Sequence, residues 1–418
     1  MHILGEKMNK KHQKFSLIII ISILIFNSIP VFAWTPDEEL TASSAILMDT
    51  IRGQVLYEKE ADSLFSPSIM CKLMTVLVTI EKTQMNAKVT ISKNAAGING
   101  SSLSLVVGNQ YSVEDLLYAV MLSQGNDAAI ALAEYVGDGD VNIFVGYMND
   151  KAKELMLTDT FFVNPTGLYD KKQFTSTRDI AKIVKTAISN PLFDTIFGSR
   201  GIAWVNGKDS SILTNQNKLF WSYNGVDGGK IGTTPQQGTT SVTTATRDGR
   251  RLIAVVFDKN EESTLMQTTQ LFDYGFSRYY TGILVSKDTP LRNITIENSD
   301  VNLISKMDVY YTYPIGESYI KKIDFIANEK LVLPISKDTI AGVLKYTLVD
   351  GTVIEVNLYS DEEVVAPEDY KSKAKKIFEE NRDLVTIVIV LVGIECILLI
   401  YNLIKLIYKI VKKIRTRK

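Results

Sequence analysis

Ser68 and Lys72 lie four residues apart in the run Phe65-Ser66-Pro67-Ser68-Ile69-Met70-Cys71-Lys72. On a helix that spacing puts both side chains on one face. A hydroxyl beside an amine is a nucleophile beside its base, provided the lysine is partly desolvated. Ser68, however, directly follows Pro67 and sits about 100° around a helix from the position three residues before Lys72, which Ile69 occupies. Cys71 adjoins Lys72, but neighbouring helix residues diverge, so it reads as a small core residue rather than a reactive thiolate. Two further short stretches carry polar groups suited to a site: Ser123-Gln124-Gly125-Asn126 and Gly229-Lys230-Ile231-Gly232. The two histidines, His2 and His12, both fall at the extreme N-terminus. If that segment is removed, Ser-His-Asp catalysis, Cys-His catalysis and histidine-containing zinc sites are excluded.

The elements that must hold these residues can be read from the pattern around them. A hairpin is expected over residues 44–58, with its turn ending in Gly53, and a helix from Pro67 to about Lys82. A second helix should start after Ser112, capped with Asp115 three residues on, and a third at Asp127. Strands follow over 239–245 and 252–257 across the turn Arg247-Asp248-Gly249. Helices enclosed between strands imply an α+β domain with an antiparallel sheet. From about residue 279 to 365, five short strand-like runs separated by turn signals imply a small all-β module.

The ends address the chain to a membrane. Lys10, Lys11 and Lys14 precede an apolar run over 15–26, and Val31-Phe32-Ala33 has the small-residue ending of a secretory signal. Residues 384–404 are apolar and long enough to span a bilayer. Lys405, Lys409, Lys412, Lys413 and the terminal basic residues follow, which predicts a cytoplasmic tail and an ectodomain outside. Glu395 stands near the middle of this span and reads as a protonated or snorkelling side chain of a single anchor helix, or else as a helix-partner or proton site. Net charge is −1 with 22% charged residues, so there is no basic field for nucleic acid. The only two cysteines, Cys71 and Cys396, lie in ectodomain and span, which makes an intrachain disulfide implausible. The predicted division is 1–33 signal, 34–278 first domain, 279–366 β-rich domain, 367–383 stem, 384–404 span and 405–418 tail.

Together the three short stretches resemble the serine-type D-Ala-D-Ala carboxypeptidases, the low-molecular-mass penicillin-binding proteins. The family pattern is Ser-x-x-Lys after a proline, Ser-x-Asn before Asp-Ala-Ala, and Lys-Thr-Gly. Gly100-Ser101-Ser102, Asn164-Pro165-Thr166-Gly167-Leu168 and Ser176-Thr177-Arg178-Asp179 support the likeness. It implies a penicillin-binding/β-lactamase-like α+β fold for the first domain, ahead of the small all-β domain and the C-terminal transmembrane helix read from the pattern above. It implies no cofactor and no metal. Lys72 and Asn126 take catalytic positions, while Lys230 and Gly232 take the positions that receive a substrate's terminal D-Ala carboxylate. The match without gaps puts Ile69 at the nucleophile, Gln124 at the second serine and Ile231 at the threonine. Three readings follow. The first is a catalytically impaired homologue that binds wall peptide or a partner protein. The second is an active carboxypeptidase that trims the terminal D-Ala of peptidoglycan stem peptides with Ser68 as displaced nucleophile. The third is a structural membrane-associated adaptor.

Overall fold

Strand β1 (Ser44–Asp49) is buried along its whole length, and its side chains alternate between two cores. Ile46 and Met48 join one cluster, Ala45 and Leu47 the other, as the period of two along a strand requires when both sheet faces are covered. The computed structural model describes residues 40–206, 209–234, 238–296, 299–316, 318–365 and 370–415. The expected signal segment, 1–33, therefore lies outside the described residues, as does the end of the basic tail.

The first sheet has five strands in the order β2-β1-β5-β4-β3, with β2 Val55–Lys59, β3 Val226–Thr234, β4 Gly238–Arg247 and β5 Arg250–Asp258. Every neighbouring pair is antiparallel. The β4–β5 turn is Asp248-Gly249, both with positive φ (50° and 75°), the geometry that matches hairpin twist. On one face lie helices α1 (Cys71–Lys82), α2 (Val113–Leu122), α3 (Asn126–Val136) and α4 (Thr177–Ala187). Helix α5 (Glu261–Arg278) covers the other face through Leu271 and Phe272. Ser112 caps α2 in a reciprocal box with Asp115, as the sequence predicts.

The expected helix from Pro67 begins later. Ser68–Met70 form a 3₁₀ turn, and α1 starts at Cys71. Ser68 has φ 45°, a left-handed conformation that breaks the helix before it starts.

The β-rich region adds β6 (Tyr279–Val285), β7 (Pro290–Ile296), β8 (Ser299–Ile304), β9 (Val309–Pro314), β10 (Ile320–Ala327), β11 (Ile340–Leu348) and β12 (Val353–Ser360). β6 pairs with β9, and a five-stranded sheet runs β7-β8-β12-β11-β10. The compact units do not follow a single cut in the chain. One reaches Ser286 and takes in Asp308–Ile323 and Tyr346–Ile354; the other comprises Lys287–Met307, Asp324–Lys345 and Glu355–Lys418. After a helix α6 (Tyr370–Glu380), helix α7 runs unbroken over Arg382–Arg415, so the expected span and the start of the tail are one continuous helix. Its stretch Arg382–Ile410 is long and apolar enough to cross a membrane.

Candidate functional site

Lys72, in the first turn of α1, is almost wholly buried at 1% exposure. Its ammonium donates to Asn126 Oδ1 at 2.7 Å and to the carbonyl of Thr166. Burial pushes its pKa down to about 8, while Cys71 and Asp127 pull the other way. Asn126 opens α3 and donates from Nδ2 to the carbonyl of Asn99 at 2.7 Å; its backbone N–H donates to Ser101. One amide thus ties α1 to the loop around Gly100. Gly100 has φ +90°, and a Cβ there would stand 2.6 Å from Asn126 Nδ2.

The Thr166 carbonyl is delivered by a loop folded around Asn164, whose Oδ1 accepts from the N–H of Gly167 at 2.8 Å. Thr75 of α1 donates to the Pro165 carbonyl at 2.7 Å and holds the loop down. Gly167 (φ +78°) packs on the main chain of Ser68, where a Cβ would meet the Ser68 carbonyl oxygen at 1.7 Å. Only glycine permits this approach.

Lys230 lies on β3, an edge strand of the first sheet, and is likewise 1% exposed. Its Nζ donates to the carbonyls of Met121 at 2.7 Å and Val120 at 3.2 Å, at the C-terminal end of α2. There it satisfies main-chain acceptors the helix leaves open and sits at the negative end of the helix dipole. Burial, with Lys72 nearby, drives its pKa well below the usual lysine value.

Between these two lysines the remaining motif positions close up. Ile69 lies over β3 at Gly232, where a Cβ would fall 1.7 Å from Ile69 Cδ1 and 2.3 Å from Cγ1. Gln124, at φ 60°, donates from Nε2 to the main-chain carbonyl of Ile231 at 2.9 Å. Ile231 itself is 3% exposed. The structure therefore gathers Ile69, Lys72, Gln124, Asn126, Lys230, Ile231 and Gly232 into one place, linked by hydrogen bonds and direct packing.

The two other nucleophile types fare differently. The Ser68 hydroxyl is buried and has no hydrogen-bond partner. Cys71 is fully buried, its thiol donates to the Asn164 carbonyl at 3.0 Å, and burial raises its pKa to about 12. Among the described residues no cluster of His, Cys, Asp and Glu could hold a metal ion. What the sequence reading left out are the main-chain acceptors: Asn99, Val120, Met121 and Thr166. Gly100 and Gly167, both needing positive φ, were the available signals for two of the loops.

Comparison with known proteins gives the same frame. Residues 31–261 match the family model described as D-alanyl-D-alanine carboxypeptidase, and residues 279–366 match that of the penicillin-binding protein 5 C-terminal domain. The D-alanyl-D-alanine carboxypeptidase DacF of Bacillus subtilis is 31% identical over 342 residues, covering 79% of this chain and 86% of that one. DacC of Escherichia coli is 33% identical over 332 residues, covering 75% and 82%. The crystal structure of penicillin binding protein 5 from Haemophilus influenzae aligns with a TM-score of 0.68 at 29% identity, over 80% of this chain and 100% of that one. With one family model covering more than half its length and relatives aligned over three quarters or more of it, the chain belongs to the D-alanyl-D-alanine carboxypeptidase family.

Proposed function

We propose that this chain is a non-hydrolysing member of its family, held at the membrane surface to bind a partner of the wall-assembly machinery or wall peptide. The observation that carries the reading is the seat of Ile69 on Gly232. An aliphatic side chain cannot form an acyl-enzyme, and this one fills the ground over the edge strand. Lys230, which the resemblance casts as receiver of the substrate carboxylate, is buried and committed to the end of α2. Gln124 takes an edge-strand carbonyl with which an added peptide strand would pair. These features favour a protein partner over capture of a D-Ala carboxylate in the closed cleft. The buried, unpartnered hydroxyl of Ser68 weighs against the displaced-nucleophile reading, because no base hydrogen-bonds to it in this conformation. The basic residues in the C-terminal part of α7, Lys405, Lys409, Lys412 and Lys413, support a cytoplasmic C-terminus with the folded units outside.

The test is the intact mass of residues 34–383 after incubation with a reactive penicillin. Unmodified mass from folded protein is expected. A stoichiometric adduct mapped to Ser68 or another hydroxyl would replace this reading with an active carboxypeptidase. Binding is then measured against a peptide ending in D-Ala-D-Ala.

A further inference from the structure

Glu395 lies at the middle of α7, whether the span is counted over residues 384–404 or over Arg382–Ile410. At 1.5 Å per residue, the nearer end of a bilayer's apolar layer is about 14 Å away, far beyond the reach of a glutamate side chain. Its neighbours one turn away, Leu391, Val392, Leu398 and Leu399, are apolar. The helix itself therefore offers the carboxyl no partner, and a lone carboxyl in hydrocarbon is expensive.

The other strongly polar residue of the span is Asn402, seven residues on. Seven residues bring a helix round to nearly the same face, so Glu395 and Asn402 share one stripe. Lys409 continues it at the same interval, while Leu391 and Leu398 flank it at the positions that complete a heptad seam. The hydroxyl of Thr386 is already turned back to the Arg382 carbonyl at 2.7 Å and needs no one.

We propose that α7 pairs with a second copy of itself in the membrane, along the face carrying Glu395 and Asn402. The choice of a second copy rests on symmetry. Two copies of one chain insert in the same direction, so each polar residue meets its own counterpart at the same depth. Both residue types are self-complementary: an amide donates to and accepts from an amide, and a carboxyl O–H donates to a carboxyl oxygen. Polar side chains hydrogen-bonded between helices are the recognised glue of membrane association, and a polar residue in a heptad seam also fixes register.

The experiment uses the full chain in bacterial membranes, with Cys396→Ser as background, in which Cys71 stays buried in the first domain, and one cysteine at a time introduced along α7. Expected are strong disulfide cross-links between copies at Leu391→Cys and Leu398→Cys, and weak ones at Val390→Cys and Ile397→Cys on the opposite side. Glu395→Leu should weaken self-association about three- to thirtyfold in a dilution series, and Glu395→Gln should retain most of it. Cross-linking without periodicity, a chain that stays monomeric, or unchanged association in Glu395→Leu/Asn402→Leu would overturn the proposal. So would cross-links formed only to a different membrane protein.

Discussion

The terminal carbon of Ile69 occupies the space in which a side chain at Gly232 would have to begin, 1.7 Å from the ideal Cβ position. Because Cγ1 and Cβ of Ile69 also crowd that point, at 2.3 and 3.2 Å, no rotamer change relieves the overlap cheaply. Gly232→Ala should therefore destabilise the ectodomain by about 1–3 kcal/mol in urea unfolding. Ile69→Ala in the same chain should recover most of that loss, leaving a coupling well above the noise of a double-mutant cycle. Additive effects would mean the two residues do not pack as described.

Ile69→Ser offers a second test, this time of chemistry. It places a hydroxyl in the residue three before Lys72, whose ammonium burial has brought to about 8 and so into reach as a base. Combined with Gln124→Ser and Ile231→Thr, it should give a penicillin adduct by mass where the parent gives none. A folded triple variant that stays unmodified would show that closure of the site goes deeper than these three side chains.

Lys72 also makes a pH signature. Its folded pKa is lowered from 10.5 to about 8, so between those values the unfolded chain binds a proton that the folded one does not. Stability from this group is lowest below pH 8 and rises as pH climbs toward 10.5, by about 3 kcal/mol in all. Subtracting the curve of Lys72→Met removes other groups, the tyrosines Tyr223 and Tyr279 among them. The difference between parent and variant should shift in the parent's favour from pH 7.5 to 10. A flat difference would mean that Lys72 is solvated.

Asn126→Ala should cost about 2–4 kcal/mol, since it strips a partner from a buried ammonium and releases the loop at Asn99. Chemical denaturation followed by fluorescence measures it. A loss below about 0.5 kcal/mol would place Asn126 outside the network.

Much of the frame was legible because its signals are local. The Ser112–Asp115 box, the Asp248-Gly249 turn and the hairpin over residues 44–58 each declare themselves within a few residues. The partners of the lysines were not legible. Lys230 finds its acceptors on the main chain 109 and 110 residues earlier, and a carbonyl carries no mark in the sequence. The left-handed Ser68 was missed for a related reason. Nothing in a serine announces φ 45°; the close approach of Gly167, a hundred residues away, goes with it. Four-residue spacing to Lys72 suggested a shared helix face, but the α-helix begins only at Cys71, after Ser68.

Ser68 holds its left-handed φ of 45° without being a glycine. A non-glycine residue held left-handed costs about 1–3 kcal/mol and is ordinarily kept where a working site requires it. Here the same residue also carries a buried hydroxyl with nothing to bond. If the neighbouring site no longer turns over substrate, both burdens are heirlooms that selection is free to discard. Ser68→Gly, which relaxes the backbone and deletes the stranded oxygen, should then yield a sturdier protein with its membrane role untouched.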